Sequence, residues 1–242
     1  MVHFVKFYAN IVNIVYLCQE VIKLRFVLKC SYACAKQLAT ALHENHNRKA
    51  VYYYGFYIVF GSLVKAIILI SISLLLGILI PASVIVAVFG SFRMLAGGFH
   101  FDTFGRCLFV SLGLFISGAL ISQYTYQYWN TISVAILIIL VFVISLYVLI
   151  KYAPKDTPTK PITDPVEIRK FKKLSIIYLC IWLIACSFLT VQNLNLYVIA
   201  MSFAVLFEIF SVTPAGHIFF NKIINKLNGK SKVRINSNAK SK

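Results

Sequence analysis

A cysteine, a histidine and three glycines fall together in RMLAGGFHFDTFGRC, residues 93–107, within a chain that is otherwise mostly apolar or basic. Cys107 is of the nucleophile type and His100 of the base type needed for acyl transfer through a thioester, with six residues between them. A free thiol is mostly protonated at neutral pH, and an adjacent imidazole or cation raises its reactive thiolate fraction. His100 is the nearest candidate base and Arg106 the nearest fixed charge, while Asp102 could orient the imidazole or be a solvated loop acid. On one straight α-helix His100 and Cys107 would stand about 10.5 Å apart along the axis, too far for direct proton transfer. Cooperation between them therefore requires the backbone to turn. Gly97, Gly98 and Gly105 are the residues that permit it, because glycine reaches positive φ and admits close backbone approach. The exposed N–H groups of such a turn are candidate oxyanion donors. The plain alternative is a histidine at a membrane interface and a cysteine opening a transmembrane helix, with no chemistry between them.

The elements that must position this stretch are membrane helices. With 242 residues, 60% of them hydrophobic and 13% charged, and a mean hydropathy of +0.83, the chain is far too apolar for a soluble globular domain. A net charge of +17 would suit nucleic acid, but the basic residues sit in blocks separated by long uncharged runs. That is the pattern of charge bias across a bilayer and of a basic face toward anionic lipid, so anionic membrane lipids are an expected partner and nucleic acid is not. Six cysteines, at 18, 30, 34, 107, 180 and 186, show no disulfide spacing. Cys180 and Cys186 lie roughly opposite each other on a helix, and His43 and His46 have only Glu44 beside them. Neither group makes a metal set, and no metal or other cofactor is expected.

The predicted architecture is an all-α integral membrane protein with six transmembrane helices, preceded by an amphipathic interfacial helix. Residues 1–30 place Phe4, Tyr8, Ile11, Val15 and Ile22 on a wide apolar face and Lys6, Asn10, Asn13, Glu20 and Lys23 on a narrower polar one. Asn10 and Asn13 interrupt the apolar run and no small-residue cleavage site follows, which argues against a signal peptide. Residues 31–50 read as a polar cytoplasmic connector, which closes an N-terminal region over 1–50. The membrane domain, 51–216, begins with a span inside 51–80 that starts near Phe56–Phe60, with Lys65 snorkelling to the near interface. The second span starts at Pro81 and leads into the 93–107 stretch, and the third runs from Cys107 to Tyr126. Ile132–Ile150, Leu174–Val191 and Leu196–Val212 follow, the last two joined by a tight turn at Gln192-Asn193. A loop over 151–173 has four prolines between Pro154 and Pro165, and Thr213-Pro214-Ala215-Gly216 closes the last span ahead of a basic tail over 217–242. Glu208, an acid inside that span, is a candidate for snorkelling, helix pairing or function.

Charge orients these spans. Seven Lys/Arg precede Val51, two lie at 93 and 106, seven lie in 151–173 and seven follow Gly216; Lys65 completes the 24. The turns near Pro81, Tyr128–Thr131 and Gln192–Asn193 have none. Basic loops mark the cytoplasmic side, so both termini and the 93–107 loop are expected in the cytoplasm.

Together, Arg93, the Gly97-Gly98 pair, His100 and Cys107 resemble the signature of the accessory gene regulator B (AgrB) family of membrane cysteine endopeptidases. The likeness continues in YAPKDTPTKPI, Tyr152–Ile162, and in Thr213-Pro214, and it spans residues 30–220. Phe101, Asp102 and Gly105 are less typical of that signature. The resemblance implies a nucleophile at Cys107 and a base at His100. It also implies a place in a Gram-positive cell membrane and a role in processing the precursor of a cyclic autoinducing peptide for quorum sensing. Arg93, Gly97, Gly98, Asp102 and Arg106 are then candidates for substrate binding or structural support.

In the corresponding mechanism, the Cys107 thiolate attacks a peptide carbonyl, the C-terminal segment leaves, and the remainder stays as a thioester. Water would hydrolyse it; a cysteine of the bound precursor would instead release a thiolactone. The basic loops suit an acidic precursor tail, and the membrane surface suits an amphipathic leader. The expected partner is thus a short amphipathic propeptide with an acidic C-terminal tail, and a homodimer is left open. The rival class is a non-enzymatic transporter or peptide-export partner, which would use Lys65 and Glu208 and have no need of the thiol.

Overall fold

A computed structural model of the chain describes residues 25–42, 44, 46–99, 101, 104–154 and 164–223. The amphipathic segment before residue 25, His43, His100, Asp102, most of the proline-rich loop and the tail beyond residue 223 lie outside the described residues. The longer α-helices are α1 Arg25–Ala41, α2 His46–Leu75, α3 Leu79–Ala96, α4 Phe104–Thr125, α5 Thr131–Tyr152, α6 Pro165–Val191 and α7 Asn195–Val212. A 3-10 turn at Tyr126–Tyr128 follows α4, and a short helix over 214–223 follows α7. Among the described residues six helices, α2 to α7, are long and apolar enough to cross a membrane, the pattern of a multi-pass membrane protein.

The chain forms two compact units. One comprises the described residues up to Ile72 together with Phe101–Leu112. Within it, α1 buries Val27, Ser31, Ala35 and Ala39, a stripe at four-residue spacing along one helical face. Lys49 of α2 donates to the Tyr32 hydroxyl of α1 at 3.0 Å, and the rings of Tyr32 and Tyr53 meet edge to face at 6.4 Å. Residues 31–41, expected as a polar connector, are therefore helical. Their alanines are strong helix formers, and a stripe of small residues packs well while adding little to hydropathy.

The other unit holds Ser73 to Phe99 and the described residues from Gly113 onward. Here α3 packs along α7, and α5 packs against α6 and α7. Phe92, Val141, Leu149, Leu179, Trp182, Val205 and Val212 form the core. Outward faces of α5 and α6 present Ile136, Ile139, Ile144, Ile181 and Ile184, a composition suited to hydrocarbon.

Local chemistry explains the turns. After α2, Gly77 adopts φ +66° while Gly77 N–H reaches Leu74 carbonyl at 3.2 Å and Ile78 N–H reaches Ser73 carbonyl at 2.9 Å. After α6, Asn193 at φ +57° makes the matching pair, with N–H bonds from Asn193 to Thr190 and from Leu194 to Leu189, both at 3.0 Å. Both are Schellman stops, and glycine and asparagine are the residues that tolerate the left-handed cap. Helix α6 starts nine positions before the Leu174 expected from hydropathy. Asp164 accepts from Val166 N–H at 2.9 Å and Pro165 stands at the first helical position, so the charged segment is helical as well. From that extension Lys172 donates to the Ile150 carbonyl at the end of α5.

Candidate active site

Each unit holds one cluster of the residues singled out above. In the first, Cys107 is the fourth residue of α4, and its side chain is half-buried. The Lys65 ammonium, from α2, donates to Cys107 Sγ at 3.1 Å. Ser111 donates its hydroxyl to the Cys107 carbonyl at 2.6 Å, within the same helix. The thiol thus lies in the first turn of a helix, where the backbone dipole is positive, and beside a fixed cation. Hydropathy alone places Lys65 at the membrane interface; the structure brings it to Sγ from 42 positions away in the chain. A lone lysine in a long apolar run was the only signal available for it.

The second cluster is built around Arg93, in the last turn of α3. Its Nη1 donates to Glu208 Oε2 at 3.5 Å and to Ser211 Oγ at 3.4 Å, both on α7, and its Nη2 donates to the Phe99 carbonyl. Ser211 donates its hydroxyl to Glu208 Oε2 at 3.4 Å, while its carbonyl accepts the Phe99 N–H at 3.1 Å. Both backbone polar groups of Phe99 are therefore held by this cluster. The Phe99 ring meets His217 at 5.0 Å and Phe220 at 5.3 Å, on the short helix after α7. Thr213 starts that helix by accepting the Gly216 N–H at 3.1 Å, so the Thr-Pro end of the last span is a stop and a restart.

Glycine is required where the strand of chain passes this cluster. Gly97 has φ +77° and Gly98 φ +132°, and a Cβ on Gly98 would collide with Ser211 Oγ while lying 3.1 Å from Arg93 Nη1 and 3.3 Å from Glu208 Oε1. These two glycines end α3, so residues 93–107 are not one continuous helix, which is what a His–Cys partnership demands. Gly105, expected to help make the turn, lies instead inside α4. The carboxylate of Glu208 is fully buried, which makes helix pairing with Arg93 its role in the fold. His100 and Asp102 lie outside the described residues. Among the described residues no group of three His, Cys, Asp or Glu side chains could hold a metal ion.

The family model of accessory gene regulator B matches residues 31–212. The chain belongs to the AgrB family. Two AgrB-like proteins of Clostridium perfringens are similar to it. AgrB-like protein 2 of strain 13 is 26% identical over 203 residues, 78% of this chain and 92% of that protein. An AgrB-like protein of strain SM101 is 27% identical over 166 residues, 67% of this chain and 75% of that protein. No solved structure matches the chain. The AgrB match contains Lys65, Arg93, Gly97, Gly98, His100, Cys107, Glu208 and Ser211, and so takes in both clusters.

Proposed function

We propose that this AgrB-family protein is a membrane cysteine endopeptidase that removes the C-terminal segment of a peptide precursor through a Cys107 thioester. The observation that carries this reading is the Lys65 ammonium on Cys107 Sγ at the first turn of α4, surroundings that favour a nucleophilic sulfur. His100 accepts the thiol proton. The thiolate attacks the scissile carbonyl, a carbon–sulfur bond forms, the carbon–nitrogen bond breaks, and the departing amine takes the proton from His100. Hydrolysis then yields a linear product, whereas attack by the precursor's own cysteine yields a thiolactone by near-isoenergetic thioester exchange. A water-poor membrane site favours the ring.

The substrate class is a short amphipathic propeptide with an acidic C-terminal tail, processed at the cytoplasmic face of a Gram-positive cell membrane. Basic segments at 151–173 and at the C-terminus support that side and that charge preference. A transporter reading would need Lys65 and Glu208 for a translocation path. It is disfavoured because Lys65 contacts the thiol and Glu208 is closed against Arg93.

Co-expression with a precursor of this chemistry tests the reading. Wild type should release the C-terminal fragment, and Cys107→Ala and His100→Ala, inserted at normal levels, should not. Continued release by either variant removes the dyad.

A further inference from the structure

We propose that Lys65 is a third catalytic group, whose ammonium holds the Cys107 sulfur as a thiolate both when it attacks and when it is expelled. This deepens the endopeptidase reading and rests on it. Lys65 is the sole charged residue in the run from Val51 to Leu75. A cation in such a run is costly in hydrocarbon and is kept where it has a task or a counter-charge. Its Nζ donates to Sγ at 3.1 Å, and both side chains are half-buried. A neutral thiol is a weak acceptor for an ammonium, whereas a thiolate is its charge complement, and partial burial strengthens the pairing relative to water. The first-turn position of Cys107 adds the positive end of the α4 dipole in the same direction.

The charge acts at two points of the cycle. Before attack, the thiol proton passes to His100 and the sulfur is left beside Lys65. Attack then turns the sulfur into a neutral thioester. When the precursor's cysteine, its own proton given to His100, attacks that carbonyl, a new carbon–sulfur bond forms and the bond to Cys107 breaks. The electron pair returns to Cys107 Sγ, which leaves as a thiolate beside Lys65. Stabilising the leaving thiolate speeds thioester exchange. No oxidant or metal is needed, and atoms and charges balance at every step.

The test uses the full-length protein in lipid nanodiscs. Cys107 alkylation by iodoacetamide at neutral pH is followed by peptide mass spectrometry, and fragment release from the precursor is measured in parallel. Lys65→Met keeps the stem and removes the charge. It should slow both alkylation and kcat by about tenfold or more, the scale set by one opposite charge at this range, with KM unchanged. Lys65→Arg keeps the charge and should recover both to within about threefold of wild type, its bulkier head accounting for the rest. Alkylation of Lys65→Met within about twofold of wild type, or an Arg variant as slow as the Met variant, overturns the proposal, because one opposite charge should matter more than that. The unmodified protein gives a second, variant-free measurement. o-Phthalaldehyde condenses an adjacent amine and thiol into a fluorescent isoindole, and the Lys65–Cys107 crosslink should form in wild type and vanish in Cys107→Ala. Its absence from wild type overturns the contact. Loss of the Cys107→Ala effect on fragment release would instead sink the endopeptidase reading, so the two failures are separable.

Discussion

Arg93 and Glu208, 115 positions apart in the chain, form an ion pair at 3.5 Å whose carboxylate is fully buried. The same guanidinium holds the carbonyl of Phe99, the residue immediately before His100. Packing of α3 along α7 is thus coupled to the start of the segment that bears the proposed base. Removing Arg93 leaves the fully buried Glu208 carboxylate without its cation, so Arg93→Met should lower stability by about 3–5 kcal/mol, and Glu208→Leu should cost less because Arg93 is part-exposed and keeps the Phe99 carbonyl. Thermal denaturation in detergent checks this. The double variant should regain most of that stability but not fragment release, because Phe99 has lost its donor. Normal processing by the double variant would show that the clamp has no bearing on catalysis.

Gly98 makes a sharper test of the same cluster. A methyl group there meets Ser211 Oγ, and φ +132° is a conformation that alanine resists. Gly98→Ala should therefore cost about 1–3 kcal/mol and reduce fragment release. Gly90, in α3 with open space around it, is the control. Gly90→Ala should be neutral, or stabilising by up to about 1 kcal/mol through helix propensity. Equal effects at the two positions would mean that the cradle around Gly98 is not specific.

Much of this molecule is written locally. Spans appear as apolar runs, and the stops at Gly77 and Asn193 and the caps at Asn130, Asp164 and Thr213 need only a few neighbouring residues to specify them. The Gly97-Gly98 pair announced a break before His100 for the same reason. The helix beyond residue 30 in α1 was missed because Ala35 and Ala39 bury little area and sit among polar neighbours, so the connector reading rested on hydropathy alone. What stayed illegible were the pairings across distance. Lys65 and Glu208 each stood out as a charge in an apolar helix, which signals that a partner is needed but not which one. Cys107 and Arg93 become those partners through the rotation and axial offset of separate helices, set by packing.

The basic segment at the start of α6 bears on substrate capture. Arg169, Lys170, Lys172 and Lys173 lie on its helical extension, alongside the acidic Glu167. If they steer an acidic precursor tail, raising ionic strength from about 50 mM to about 500 mM should weaken capture by shortening the screening length. KM should rise while kcat holds. Neutralising Arg169, Lys170 and Lys173 should flatten the salt dependence, leaving Lys172 on the α5 terminus to preserve the fold. A salt-independent KM in wild type, with unchanged affinity in the neutralised variant, assigns these charges to topology alone.

The central claim is that Cys107 becomes acylated by the precursor. Intact-mass spectrometry of the protein, quenched in acid during turnover with a precursor whose own cysteine is replaced by serine, reads this directly. The account predicts a mass increase equal to the precursor without its C-terminal segment, mapped to Cys107, removed by hydroxylamine and absent from Cys107→Ala. Fragment release at the normal rate from Cys107→Ala, with no adduct on the wild-type cysteine, would contradict it.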